Sequence, residues 1–156
     1  MGGMKALALA LLMAAVPFAA LSLTALPAGA APLDGLKGKA RVVLLFSKSR
    51  SLSSLDRMVD RLRERRPDLE DRDMVVLVTA GTDPTYSAIG YTDIPRGANR
   101  ELRRFYRPDP SGLTMVLVGL DGGEKARFDG VVDPDVLFDL VDAMPMRQQE
   151  LGATGG

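Results

Sequence analysis

Ser47-Lys48-Ser49-Arg50-Ser51, followed by Ser54, gathers hydroxyls and two cations between an apolar run and the start of a helical pattern. At such a junction free backbone N–H groups, serine hydroxyls and the charges of Lys48 and Arg50 can hold an anion. The same residues would allow a second chemistry, with Ser51 or Ser54 as nucleophile and Lys48 as its base. No glycine-rich elbow, phosphate loop or histidine accompanies them, so that reading is the weaker one. The plainest arrangement, and the strongest of the three, is serines capping a helix beside solvated basic side chains. The chain contains neither cysteine nor histidine. That removes thiolate chemistry, disulfides, the usual general base and a structural zinc from consideration.

Arg100, Arg103, Arg104 and Arg107 form a second basic cluster with only Glu101 close in sequence. It is a surface for an acidic partner or, more plainly, a solvated helix face. Arg57, Arg61 and Arg65 run beside Asp56, Asp60 and Glu64 at helical spacing, so those charges largely neutralise one another. Neither cluster interleaves the aromatics of a single-strand platform, and nucleic acid is not an expected partner. Tyr86 and Tyr91 stand in a long polar stretch, where exposed aromatics offer a partner contact area at little rotamer cost. The carboxylates of Asp68, Glu70, Asp71 and Asp73, and of Asp129, Asp133 and Asp135, lack the alternating ligands and central glycine of a calcium loop. Met144-Pro145-Met146 reads as a packed chain end rather than a thioether site for soft copper. No metal and no cofactor are expected.

These residues need elements to position them. Arg41 to Phe46 is a continuous apolar run, which reads as a strand buried on both faces. Leu55, Met58, Val59 and Leu62 fall at i, i+3, i+4 and i+7, one face of a helix that Pro67 should end near Arg66. Asp73 to Thr79 is a second buried strand, and Gly81 to Gly97 a long loop without clear period. Asn99 can cap a helix whose face is Leu102, Phe105 and Tyr106. Leu113 to Leu120, the turn Asp121-Gly122-Gly123 and Glu124 to Phe128 make a hairpin. Asp133 as cap and Pro134 at the first helical position begin the last helix, with Val136, Leu137, Leu140 and Val141 on its buried face. The order β-α-β-α-β-β-α predicts an α/β fold, a mixed sheet of about four strands with helices on both faces.

Ahead of these elements, Lys5, the apolar run Ala6 to Leu26 and the small-x-small triplet Ala28-Gly29-Ala30 read as an export signal over residues 1–30. A retained membrane anchor is the alternative, because the run is long enough to cross a bilayer. A lead-in segment, residues 31–40, precedes the domain at 41–146, and residues 147–156 read as a flexible tail. Lys and Arg number 20 and Asp and Glu 20, so gross attraction to nucleic acid or anionic lipid is not expected. The location implied is periplasmic or extracellular.

The element order, ending in a hairpin and a helix, resembles the thioredoxin fold. Gly112-Leu-Thr-Met-Val-Leu-Val-Gly-Leu-Asp-Gly-Gly-Glu124, Asp142-Ala-Met-Pro-Met-Arg147 and Pro32-Leu-Asp-Gly-Leu-Lys-Gly-Lys39 resemble a bacterial family of small exported proteins built from a domain of unknown function. Relatives of that domain occur in animal sushi-repeat and coiled-coil-containing extracellular proteins. The resemblance implies that the paired thiols of thioredoxin-like oxidoreductases would fall on Ser51 and Ser54, and their cis-proline near Thr114. None of these positions carries the required residue, so thiol redox activity is excluded. The expected function is therefore a non-catalytic binding module whose partner is an unknown protein or a small anionic ligand. Its expected ligand face joins Lys48, Arg50, Ser51 and Ser54 to Thr114, with Tyr86, Tyr91, Arg103 and Arg104 as partner-surface candidates. A thiol-independent enzyme using the Ser47 to Ser54 loop, and a membrane-anchored accessory protein, are the competing classes.

Overall fold

A computed structural model describes residues 32–90 and 93–154. The expected leader at 1–30 and Tyr91 lie outside the described residues. Within them, β1 Arg41–Ser47, β2 Met74–Ala80, β3 Tyr86–Ile89, β4 Leu113–Val118 and β5 Glu124–Asp129 form one sheet ordered β3-β2-β1-β4-β5, whose middle strand, β1, is buried at all seven positions. Met74–Ala80 is β2, parallel to β1 from Arg41↔Met74 to Ser47↔Ala80. Leu113–Val118 is β4, antiparallel to β1 on its other side, and Glu124–Asp129 is β5, its hairpin partner. The remaining strand, β3, spans Tyr86–Ile89 and pairs antiparallel with β2. It arises inside the stretch expected to be loop, so the sheet gains an edge strand beyond the four anticipated.

The described residues form five α-helices, α1 Ser53–Glu64, α2 Arg66–Asp71, α3 Ala98–Tyr106, α4 Pro134–Asp142 and α5 Pro145–Thr154, of which the first four cover the faces of the sheet. Alternate residues of β1 face opposite layers. Val43 and Leu45 pack with Leu55, Met58 and Leu62 of α1, Leu69 of α2, and Leu137, Phe138 and Val141 of α4. Val42, Leu44 and Phe46 pack with Ala98, Leu102 and Tyr106 of α3 and with Leu33 of a short 3-10 turn, Asp34–Leu36. The expected helices on both faces are present, with three on one side and one on the other.

Several local expectations shift. Pro67 ends the first helix at Glu64 and then sits in the first turn of α2, where its missing N–H costs nothing. Asn99 is not a cap. Gly97 takes that position with φ of 86°, a left-handed conformation that suits glycine, and Asn99 lies in the first turn. Phe105 is 59% exposed, so the buried face of α3 is Ala98, Leu102 and Tyr106. On α4 the inward residues are Leu137, Phe138 and Val141, while Val136 and Leu140 point outward. Asp133 does cap α4, accepting from the Asp135 amide at 3.0 Å.

The residues expected as a tail continue as α5, and charges hold it. Arg147 donates to the Asp71 carbonyl at 2.8 Å and to the Asp71 carboxylate, and meets Asp142 and Glu150 at 3.4 and 3.3 Å. Glu150 accepts from Arg41, only 1% exposed at the start of β1, at 2.8 Å. Arg72 binds Asp142 at 2.6 Å. Hydrogen bonds from Arg72 hold the Asp142 carboxyl below the usual carboxylate range, and one from Arg41 does the same for Glu150. Thus α5 is fastened to the end of the sheet where β1 begins.

Candidate functional site

The opposite end, where the parallel strands β1 and β2 finish, is where open α/β sheets place their ligands. β1 ends at Ser47, whose buried hydroxyl donates to the Ser49 carbonyl. Lys48, Arg50 and Ser51 are then exposed and Ser54 is half-buried. The serines do not cap α1, because Leu52 occupies the cap position and makes no side-chain cap bond. Ser49 and Ser51 share a hydroxyl contact at 3.4 Å. Among the described residues no lysine or carboxylate is hydrogen-bonded to Ser51 or Ser54. Arg50 is engaged: it pairs with Asp83 at 2.7 Å and lies 4.9 Å from the centre of the Tyr86 ring. Tyr86 thereby belongs to the same surface as the serine-rich loop.

Thr114 does not join a ligand face. It is 1% exposed, opposite Phe46 in the β1–β4 register, and its hydroxyl accepts from the Asp109 amide and donates to Asp129, each at 3.3 Å. Both hydrogen-bonding capacities are used within the fold. Arg104 is exposed on α3.

Arg103, 56 positions from Ser47 in sequence, meets the start of the loop in space. Its Nη2 donates to the Ser47 carbonyl at 2.6 Å and to the Thr79 carbonyl at 2.8 Å, closing the ends of β1 and β2 together. Its guanidinium lies 5.9 Å from the centre of Phe46. Its Nε donates to Asn99 Oδ1 at 3.1 Å, and Asn99 in turn donates to the carbonyls of Gly81 and Asp83. Burial pulls the Arg103 pKa down, but a guanidinium remains charged at any physiological pH. The chain turns tightly here: Gly81 has φ of 51°, and a Cβ on it would meet the Lys48 carbonyl oxygen at 3.1 Å.

These contacts shape a groove of about 640 Å³ between the Gly81–Thr85 turn and the first turns of α3. Arg96, Arg100 and Arg103 line it, against one carboxylate, Asp83, already paired with Arg50. Among the described residues Arg96 and Arg100 are exposed and form no ion pair. Sequence reasoning placed Arg100 in a basic cluster but missed Arg96 and the structural work of Asn99. The available signal was the spacing of Arg96, Arg100 and Arg103 across a glycine suited to a helix start. The described residues hold no group of three or more His, Cys, Asp or Glu side chains that could bind a metal, and no helix long and apolar enough to cross a membrane.

Residues 32–150 match the family described as Domain of unknown function (DUF4174). The chain belongs to this family. Among characterised relatives of this DUF4174 domain, the sushi repeat-containing protein SRPX of Homo sapiens is 28% identical over 123 residues, 78% of this chain. The protein of that name from Rattus norvegicus is also 28% identical over 123 residues. The match covers 26% of the length of each of these relatives, so the chain spans about a quarter of them. A solved structure, Plasmodium yoelii thioredoxin peroxidase I, superimposes with a TM-score of 0.50 at 14% identity, covering 75% of this chain and 79% of that one. That likeness is one of fold: the DUF4174 domain described here is an α/β domain of the thioredoxin-like kind, and this one has no cysteine.

Proposed function

We propose that this domain is a non-catalytic binding module, exported to the cell envelope, that receives an anionic group in the groove beside α3. The observation supporting this is the pairing of a shaped groove with uncompensated charge. Three arginines line it, none of them in an ion pair among the described residues, and no lysine or carboxylate there is hydrogen-bonded to Ser51 or Ser54. The groove also lies at the carboxyl ends of β1 and β2, the position at which this class of sheet binds ligands. Export is supported by Lys5, the apolar run and the Ala28-Gly29-Ala30 triplet.

Citrate, a compact tricarboxylate, is a suitable probe, followed by amide chemical shifts. Shifts should concentrate at Thr82, Gly97 and Arg100. Each unpaired arginine that meets a carboxylate contributes roughly 1.5 to 3 kcal/mol, so the double variant Arg96→Glu, Arg100→Glu should weaken binding by tenfold or more. Lys48→Glu with Arg50→Glu should have a smaller effect. If the loop variant abolishes binding and the α3 variant leaves it intact, the ligand face is the serine-rich loop instead. Intact mass of protein made in its own host checks export, with a mature chain beginning at Ala31 expected and one beginning at Met1 opposing it.

A further inference from the structure

Beside the cationic groove lies a second hollow of about 430 Å³, different in character. It opens between the short turn at Asp34–Leu36 and the start of α3, on the sheet face that carries one helix. Leu77 and Leu102 contribute to its lining, with Leu33, Leu36 and Ala98 around them. Its volume is within the range of small-molecule pockets and its surface is mainly aliphatic. Ile94 and Pro95 line both hollows, so a single ridge of two apolar residues separates the aliphatic space from the arginines.

We propose that the ligand is an amphiphilic anion, a carboxylate carrying an aliphatic chain, with its head among Arg96, Arg100 and Arg103 and its chain across Ile94 into the aliphatic hollow. This rests on the anion-binding reading of the groove and adds the chemistry of the rest of the ligand. Charge fixes the direction. Asp93 stands in the aliphatic hollow's lining with Lys39, so the net charge there is balanced, whereas the groove offers three guanidiniums against a carboxylate already held by Arg50. A free carboxylate gains most on the arginine side, and an alkyl chain gains only where aliphatic walls replace water.

The experiment compares hexanoate, octanoate and decanoate with decanol and citrate on the folded protein, using amide shifts and calorimetry. Affinity should rise about two- to fourfold for each added methylene. Decanoate should shift Leu36 and Ala98 as well as Arg100, while citrate shifts only the groove. Leu36→Asp, at a residue that lines the aliphatic hollow and not the groove, should flatten the chain-length series while leaving citrate binding within twofold. Arg96→Glu with Arg100→Glu should weaken decanoate at least tenfold and leave decanol unchanged. A series with equal affinities for hexanoate and decanoate overturns the amphiphile while leaving the anion groove standing. Failure of citrate and all three carboxylates to bind overturns both. Should Leu36→Asp disturb the fold, the milder Leu36→Ala provides the same comparison, and an unchanged chain-length slope in it counts against the proposal.

Discussion

Arginines stand at both ends of this sheet, and the two sets do opposite things. Where β1 begins, Arg41, Arg72 and Arg147 each meet a carboxylate, from Glu150, Asp142 and Asp71, and the helices carrying those acids are drawn into the fold. Where β1 ends, Arg103 meets backbone carbonyls and the Asn99 amide oxygen but no carboxylate, and Arg96 and Arg100 line a groove without a matching acid among the described residues. The residue type is the same. What differs is whether the fold supplies the counter-charge: it does at the first end and, among the described residues, does not at the second, which is the contrast on which the proposed anion site rests.

The comparison breaks most sharply at Arg41. Its side chain is 1% exposed and tied to Glu150 and to the Arg72 carbonyl, so Arg41→Ala should cost about 3 kcal/mol, seen as a lower urea midpoint. Acid should attack the same end next. The carboxyls of Asp142 and Glu150 are held below their ordinary values, so their contribution is complete above the unfolded carboxylate range. It is lost as pH falls through the folded values. Denaturation between about pH 5 and pH 2 should show that loss, and Asp142→Asn should flatten the slope.

At the other end Arg103→Met should cost about 1 to 2 kcal/mol, because two buried strand-end carbonyls lose a charged donor. It is therefore unsuitable as a neutral control for binding. Arg100→Ala should change stability by less than about 0.5 kcal/mol while weakening anion binding, a separation that urea melts and citrate titrations measure directly. The smallest effect belongs to Arg50, whose pair with Asp83 leaves both side chains about half exposed. Removing it should cost under about 1 kcal/mol and less still at high salt.

The parts of this fold that were legible in the sequence are those whose identity is set by burial on every side. β1, β2 and β4 are mainly apolar because each is enclosed by neighbours and layers, and α1 shows its inward face at regular spacing. β3 was illegible because Tyr86-Ser-Ala-Ile89 has no pattern of its own and becomes a strand through pairing with β2. α5 was illegible for a related reason: polar contacts from Arg147 and Glu150 fasten it, and periodicity does not report those. The site divides in the same way. The serine-rich loop was visible as a junction of two periods, whereas the place of Arg103 depends on α3 crossing the strand ends. Asn99 resembles a cap in sequence and instead binds a turn at Gly81 and Asp83.

The fastening at the start of β1 also sets a timetable. Arg41 and Glu150 are 109 residues apart in sequence, so a chain emerging amino end first from a ribosome presents the central strand long before its counter-ion exists. Until Glu150 follows, sealing Arg41 in the interior would isolate an incompletely paired charge. The middle strand of the sheet is therefore synthesised early, and the contact that completes its first residue is available only late.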